Sequence, residues 1–388
     1  MVPEGWKHGF VKDLANTVMG YAFKSTDFVP DGIPLLRMGN LYQNMLDLER
    51  NPVFLPKRYL SDFSRFIVRP GDLVMSMTGT MGKRDYGFTV QIPDSVPELL
   101  LNQRVMKFEP KKDACLEYLL NLFRSEIFLN YLYSFPGGTK QANLSAKQVQ
   151  VLPVLIPPKA EQKKIAKILS TWDKAITTTE QLLTNSHQQK KVLRQQLLTG
   201  KKRFPEFNGK WERRELGKLL EYKQPTLYLV SSTDYNDDYE IPVLTAGKTF
   251  ILGYTNELEG IYREKLPVII FDDFTTDSKF VDFPFKAKSS AMKILTARDG
   301  VSIKYVFEAM QMLDFKIGGH QRHWISIFSN QVIAIPEIAE QRKIASALSC
   351  VDGEIEILKQ KLNHLKQEKK ALMQQLLTGK RRVKVDAA

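Results

Sequence analysis

The chain has 388 residues, 43% of them hydrophobic, and carries 56 Lys and Arg against 43 Asp and Glu, a net charge of +13. That length allows two to three domains with real cores, and the positive balance favours polyanionic partners. Only Cys115 and Cys350 occur, far apart and without CxxC spacing, which argues against a disulfide framework or a zinc cage and fits a reducing cytosol. The first thirty residues lack a basic head followed by an apolar core, and apolar runs such as "VLPVLIPP" are too short to span a bilayer, so a soluble intracellular protein is expected.

In chain order, residues 1–158 hold 18 basic and 15 acidic side chains. Short apolar runs bounded by Gly, Pro and Asp ("IPLL" at 33–36, "GDLVMSM" at 71–77) predict strands, and "CLEYLLNLFRSEIFLNYLYS" (115–134) predicts helix. A first α+β domain is therefore expected over 1–158.

Residues 159–203 are different: 11 basic against 3 acidic side chains, Pro157 before them, no proline inside, and Gly200 after the last apolar pair as a C-cap candidate. Alternate steps of four and three place Ile165, Leu169, Trp172, Ile176, Thr179, Leu183, Ser186, Lys190, Leu193 and Leu197 on one seam. An apolar repeat of about 3.5 residues is a coiled-coil signature. About 38 residues at ~1.5 Å rise make a rod of roughly 57 Å, longer than a compact domain of this size requires.

A second α+β domain is expected over 204–336, where 16 basic side chains meet 18 acidic. It echoes the first weakly. Trp6 with Leu14 matches Trp211 with Leu219, "IPLL" matches "IPVL" (241–244), "GDLVMSM" matches "LPVIIF" (266–271), and "PGGTKQANLS" (136–145) matches "IGGHQRHWIS" (317–326).

Residues 337–383 repeat the rod, with 384–388 as a tail. "PPKAEQKKIAKILSTWDKAI" (157–176) aligns with "PEIAEQRKIASALSCVDGEI" (336–355), and "QQLLTGKKRF" (195–204) with "QQLLTGKRRV" (374–383), at a constant offset of 179 without a gap. Its seam reads Ile344, Leu348, Val351, Ile355, Leu358, Leu362, Leu365, Lys369, Leu372 and Leu376, with Gly379 as the cap candidate. Each seam needs a partner, and each copy is the obvious partner of the other. The fold class is then α+β: two mixed domains joined and spaced by two long antiparallel coiled-coil helices, a pseudo-twofold internal repeat.

Three segments invite catalytic readings. "TGTMGKR" (78–84) falls short of a phosphate loop, since Met77 stands at the first Gly position and Arg84 at the Ser/Thr position that would hold Mg²⁺. "NPVF" (51–54) resembles an amino-methyltransferase N-P-P-[FY] loop without its second proline, and no upstream FxGxG turn accompanies it. "IIFDDFTTDSKFVDF" (269–283) clusters Asp272, Asp273, Asp277 and Asp282 near Lys279, yet lacks an upstream strand acid for a metal-dependent nuclease centre. A turn accounts for the first and the third, the second lacks the parts of a methyltransferase, and no catalytic or metal-ligating residue is assigned.

The richer signal is base reading. Gln321 and Arg322 suit adenine and guanine edges, and His323 and Trp324 add stacking or shape; Lys140, Gln141 and Asn143 occupy the matching loop of the first domain. Lys83, Arg84 and Lys279 complete the candidate DNA contacts.

Two variable domains, each followed by a "P…AEQ.KIA..LS..D..I" helix ending in "QQLLTGK", resemble the specificity subunit of type I restriction–modification enzymes. The resemblance runs from Trp6 to Arg382. It implies a non-catalytic subunit in which each target recognition domain reads one half of a split double-stranded DNA sequence while the paired helices set the spacer. It further implies docking of two methyltransferase subunits, which use S-adenosylmethionine, and of two restriction subunits driven by ATP, with Mg²⁺ also belonging to those partners; this chain itself holds no cofactor. Glu161, Gln162 and Asp173, with Glu340, Gln341 and Asp352, carry over as residues that orient the rods or dock methyltransferase subunits, together with the seam residues Ile165, Leu169, Trp172, Ile176, Ile344, Leu348, Val351 and Ile355. Near-neutral recognition domains further imply that the chain alone binds DNA weakly and with strong salt dependence. A self-contained nuclease–methylase would need complete nucleotide and metal motifs, and a purely structural coiled-coil adaptor leaves the two divergent domains unexplained.

Overall fold

A computed structural model describes residues 2–80, 82–135, 141–245, 249–313, 324 and 327–385. It divides into two compact units, the first made of residues 1–180 and 361–388, the second of residues 181–360. These bounds depart from the expected ones in one respect: the two long helices, Lys159–Leu198 and Ile338–Leu377, are not separate bodies but are each shared between the units. The reason is packing, because each helix end is buried in a globular core.

In the first unit, a four-stranded antiparallel sheet runs in the order Ala15–Met19, Val105–Pro110, Leu73–Ser76, Thr89–Gln91. Leu73–Ser76 is buried at every position, as a strand covered on both faces requires. A second sheet orders Phe54–Leu55, Ile33–Leu36, Leu99–Leu101 and Ile67–Val68, and its central pair is parallel, with Leu35 opposite Leu100 and Leu36 opposite Leu101. The expected helix over 115–134 is two helices, Leu116–Phe123 and Glu126–Tyr133, the second N-capped by Ser125 Oγ accepting from the Phe128 amide.

The second unit repeats the plan. Its sheets order Leu220–Lys223, Met292–Ala297, Val268–Asp272, Ser278–Val281, and Ile251–Thr255, Ile241–Leu244, Lys286–Ala287, the last two again parallel. The correspondence read between "GDLVMSM" and "LPVIIF" is thus a shared sheet position. In each unit the first strand pairs antiparallel with the strand that leads into a long helix: Lys7–Phe10 with Pro153–Ile156, and Glu212–Glu215 with Val332–Ile335.

Ile165, Ala166 and Leu169 from the start of the first long helix share the first unit's core with Met373, Leu376 and Leu377 from the end of the second. Leu197 and Leu198 share the second unit's core with Ile344, Ala345 and Leu348. Within each unit the helix segments therefore run antiparallel, and burial of each such leucine contributes roughly 1.5–3 kcal/mol. All twenty expected seam positions are buried or half-buried, and Gly200 and Gly379 end the helices with φ of +69° each. Among the described residues no helix is long and apolar enough to cross a membrane.

Candidate nucleic-acid interface

The sequence signature "AEQ" builds a joint between each globular sheet and its long helix. Glu161 is buried and accepts from Trp6 Nε1 at 3.1 Å and from Arg382 Nη2 and Nε at 2.6 and 3.1 Å. Its counterpart Glu340 accepts from Trp211 Nε1 at 3.1 Å and from Arg203 Nη2 and Nε at 2.7 and 2.8 Å. Fork-to-carboxylate pairing of this kind is charge-assisted and geometrically specific. Gln162 accepts from the Cys115 amide at 2.9 Å and donates to the carbonyls of Asp113 and Pro157. Gln341 likewise accepts from the Ser302 amide at 2.9 Å and donates to the carbonyl of Pro336.

This corrects one expectation. Glu161, Gln162, Glu340 and Gln341 are at most 7% exposed and bonded within their own unit, so none presents its polar group to another subunit. They orient the long helices. Asp173 pairs with Lys369 at 2.5 Å, and Asp352 pairs with Lys190 at 2.5 Å and Lys304 at 2.9 Å, linking neighbouring helices. Burial pushes the Asp352 carboxyl up, but the two ammonium groups outweigh it and hold the group below the usual range. Ile165, Leu169, Ile344, Leu348 and Ile355 are buried, while Trp172, Ile176 and Val351 are half-buried.

Sequence reasoning missed Arg203 and Arg382 as the other half of each joint, although they are repeat partners at the same offset of 179. It also missed Glu308, fully buried against Lys190, Arg194 and Lys304 at 3.2, 2.8 and 3.0 Å. Of the basic flank, Lys163, Lys164, Lys167, Lys201 and Lys202 remain exposed.

The candidate DNA contacts fare unevenly. Lys83 is exposed at a turn tip. Arg84 is exposed but held by Glu126 at 3.3 Å and Asn130 at 2.9 Å, with its guanidinium 5.2 Å from the Tyr133 ring centre. Asn143 accepts from Thr78 Oγ1 at 2.9 Å, in a strand (Gln141–Asn143) paired with Thr78–Thr80, and Gln141 is described only as backbone of that strand. Lys279 pairs with Asp277 at 3.0 Å. Lys140, Gln321, Arg322 and His323 lie outside the described residues.

Trp324 is a second correction. It is 2% exposed, packed with Phe271 and Phe328, and its amide donates to Asp273 Oδ1 at 3.0 Å, so it is a core residue with no face for a base.

Two of the three catalytic near-motifs, at 78–84 and 269–283, are occupied by structural contacts. Asp85 accepts from the Thr80 amide at 2.7 Å, placing a carboxylate inside the turn where a phosphate loop would seat an anion. Asp272 caps its own turn through the Phe274 amide and Thr275 hydroxyl, and Asp273 is ion-paired with Lys293 at 3.0 Å.

A domain repeated on one framework, with differing polar loops and an internally satisfied joint, defines a protein built for recognition. The family model for the type I restriction modification DNA specificity domain matches residues 3–185 and again 208–367. The chain belongs to that family. It is 59% identical over 126 residues to the EcoR124I/EcoR124II specificity subunit of Escherichia coli, a match spanning 31% of either chain. It is 25% identical to a putative MjaX specificity subunit of Methanocaldococcus jannaschii over 99% of this chain and 95% of that one. The fold is shared with the type I S subunit of M. genitalium, at a TM-score of 0.65 and 13% identity, covering 97% of this chain and 96% of that one.

Proposed function

We propose that this chain is the DNA-reading subunit of a type I restriction–modification assembly. Each unit reads one half of a split duplex target, and the long helices set the distance between the halves. Chemistry belongs to partners of the assembly: two methyltransferase subunits using S-adenosylmethionine, and two ATP- and Mg²⁺-dependent restriction subunits, all in the cytoplasm. The observation that carries this is a joint repeated in both units beside differing polar residues: Trp6–Glu161–Arg382 and Trp211–Glu340–Arg203 match contact for contact, while the residues after the parallel strands, Arg37 and Asn102-Gln103-Arg104 in one unit and Thr245 and Lys288-Ser289-Ser290 in the other, differ. Identical joints with different readers suit two different half-sites on one scaffold.

Near-neutral globular segments leave phosphate affinity to local patches and to partners, so the chain alone is expected to bind DNA weakly and lose that binding steeply with salt. Co-expression with the cognate methyltransferase subunit, followed by genome-wide mapping of N6-methyladenine, is expected to give one bipartite motif with adenines on opposite strands. Scattered or absent methylation would sink the proposal.

A further inference from the structure

The first unit contains an open cleft of about 400 Å³ whose lining includes Arg37, Arg50 and Arg104 and no carboxylate. All three arginines are exposed, as are Asn51 and Gln103 beside them, and among the described residues no ion pair holds any of the three guanidiniums. Elsewhere in the same unit some exposed arginines are neutralised, Arg69 by Glu98 at 2.9 Å and Arg84 by Glu126 at 3.3 Å, and unpaired ones such as Arg58 and Arg65 lie outside the cleft. Leaving three cations together and unpaired raises local potential and suits a polyanion.

The cleft is preformed. Arg37 directly follows the Ile33–Leu36 strand, and residues 102–104 directly follow its parallel neighbour Leu99–Leu101. The Asn102 amide donates to the Leu36 carbonyl at 3.1 Å, closing the two strand ends together. Across the far rim, buried Asn40 accepts from the Arg37 amide at 2.9 Å and donates to the carbonyls of Asp47 and Arg50 at 2.8 and 3.2 Å. Gln43, Asn44 and Asn51 hold φ of +53°, +62° and +50°, left-handed values that persist only when surrounding bonds impose them. The Arg50 guanidinium lies 5.0 Å from the Tyr42 ring centre, which limits its rotamers.

The second unit repeats the same backbone device with other side chains. Ile241–Leu244 and Lys286–Ala287 are parallel in the same register, and the Lys288 amide donates to the Leu244 carbonyl at 2.9 Å. Where the first unit places Arg37 and Asn102-Gln103-Arg104, this one places Thr245 and Lys288-Ser289-Ser290. A framework kept in both units while its polar tips change is what two different sequence readers require.

We propose that the ends of these parallel strands read DNA bases, and that in the first unit the cleft is the reading site. Arg37, Arg50 and Arg104 suit the O6 and N7 acceptors of guanine, and the carboxamides of Asn51 and Gln103 suit the N6 and N7 edge of adenine. This rests on the DNA-specificity reading above. It places base contact on residues other than those of the glycine-rich loops and the 78–84 turn.

The test uses the chain assembled with its methyltransferase subunits, and duplexes carrying the methylated motif or single base-pair changes within either half. Arg37→Ala, Arg50→Ala and Arg104→Ala are each expected to weaken binding to the target by about 10-fold. Discrimination should be lost at positions within one half only, and Lys12→Ala on the same unit should stay within about 2-fold. Wild-type affinity and discrimination in all three arginine variants would overturn the proposal. So would an equal loss on every sequence, which marks phosphate contact alone. A wild-type assembly that fails to prefer the motif over a scrambled duplex would instead refute the DNA-specificity reading itself.

Discussion

Lys190 in the second unit meets two carboxylates, Asp352 at 2.5 Å and Glu308 at 3.2 Å, whereas its repeat partner Lys369 in the first unit meets Asp173 at 2.5 Å. The backbone around them is equivalent. Cys115 and Ser302 each give an amide to the helix glutamine, and Tyr118 and Tyr305 each donate a hydroxyl to a strand carbonyl, of Leu155 and Ala334. This alignment sets Glu308 opposite Asn121, a buried amide that donates to the Glu117 carbonyl at 2.8 Å. One unit thus buries a charge with three cations around it, and the other solves the same packing position with a neutral side chain. The joint is the same in both units, whereas this interior position beside it carries a charge in one and a neutral amide in the other.

Removing Glu308 should therefore produce the largest effect. Glu308→Ala leaves Lys190, Arg194 and Lys304 confined without their shared anion, at an expected cost of about 3 kcal/mol to the second unit. Asn121→Ala removes one hydrogen bond, worth about 1 kcal/mol. Hydrogen exchange separates the two: amides of 303–310 should open in the first variant and those of 116–123 should not. Equal opening in both helices would break the comparison.

The two joints come next. Glu340 is more enclosed than Glu161, with side-chain exposures of 1% and 10%. Arg203 lies eight residues before its Trp211 in one continuous segment, whereas Arg382 reaches Trp6 and the Glu4 carbonyl from the other end of the chain. Glu340→Ala is expected to cost about 2 kcal/mol and Glu161→Ala about 1 kcal/mol, read by urea denaturation. Glu161→Ala should in addition release residues 2–10 and 378–385 to exchange, because no peptide link replaces the lost ion pair. A larger loss for Glu161 would show that the open ends depend on the joint more than burial implies.

Much of the long-helix architecture is legible in the sequence because its signals are local: Pro157 and Pro336 before each start, Gly200 and Gly379 after each end, and a seam kept over ten steps. The sheet plan is half-legible, through "IPLL" and "IPVL". The joints and the cleft are not, because their partners are remote. Arg382 meets a glutamate 221 residues away. Arg37 and Arg104 converge only because a parallel strand pair, which needs a long crossover and leaves no turn signature, sets Leu36 beside Leu101. Trp324 misled because an aromatic beside Gln321 and Arg322 looks like a stacking residue until Phe271 and Phe328 enclose it. Local polarity told little about exposure there.

The smallest expected effect isolates the charge term at Asp352. Its carboxyl sits below the usual range because Lys190 and Lys304 overcome the penalty of burial. A group whose pKa is lower folded than unfolded contributes stability above its unfolded value, near ~3.9, and loses that contribution as the pH falls through the folded value. Asp352→Asn should thus cost up to about 1 kcal/mol at pH 7, since the carboxylate is partly open to solvent. That difference from wild type should hold down to about pH 5 and shrink toward zero below about pH 4. Urea titrations of both proteins over that range provide the check, with added salt reducing the neutral-pH difference only modestly because Lys190 and Lys304 are shielded. A difference that persisted unchanged at pH 3 would assign the role of Asp352 to hydrogen bonding rather than to charge.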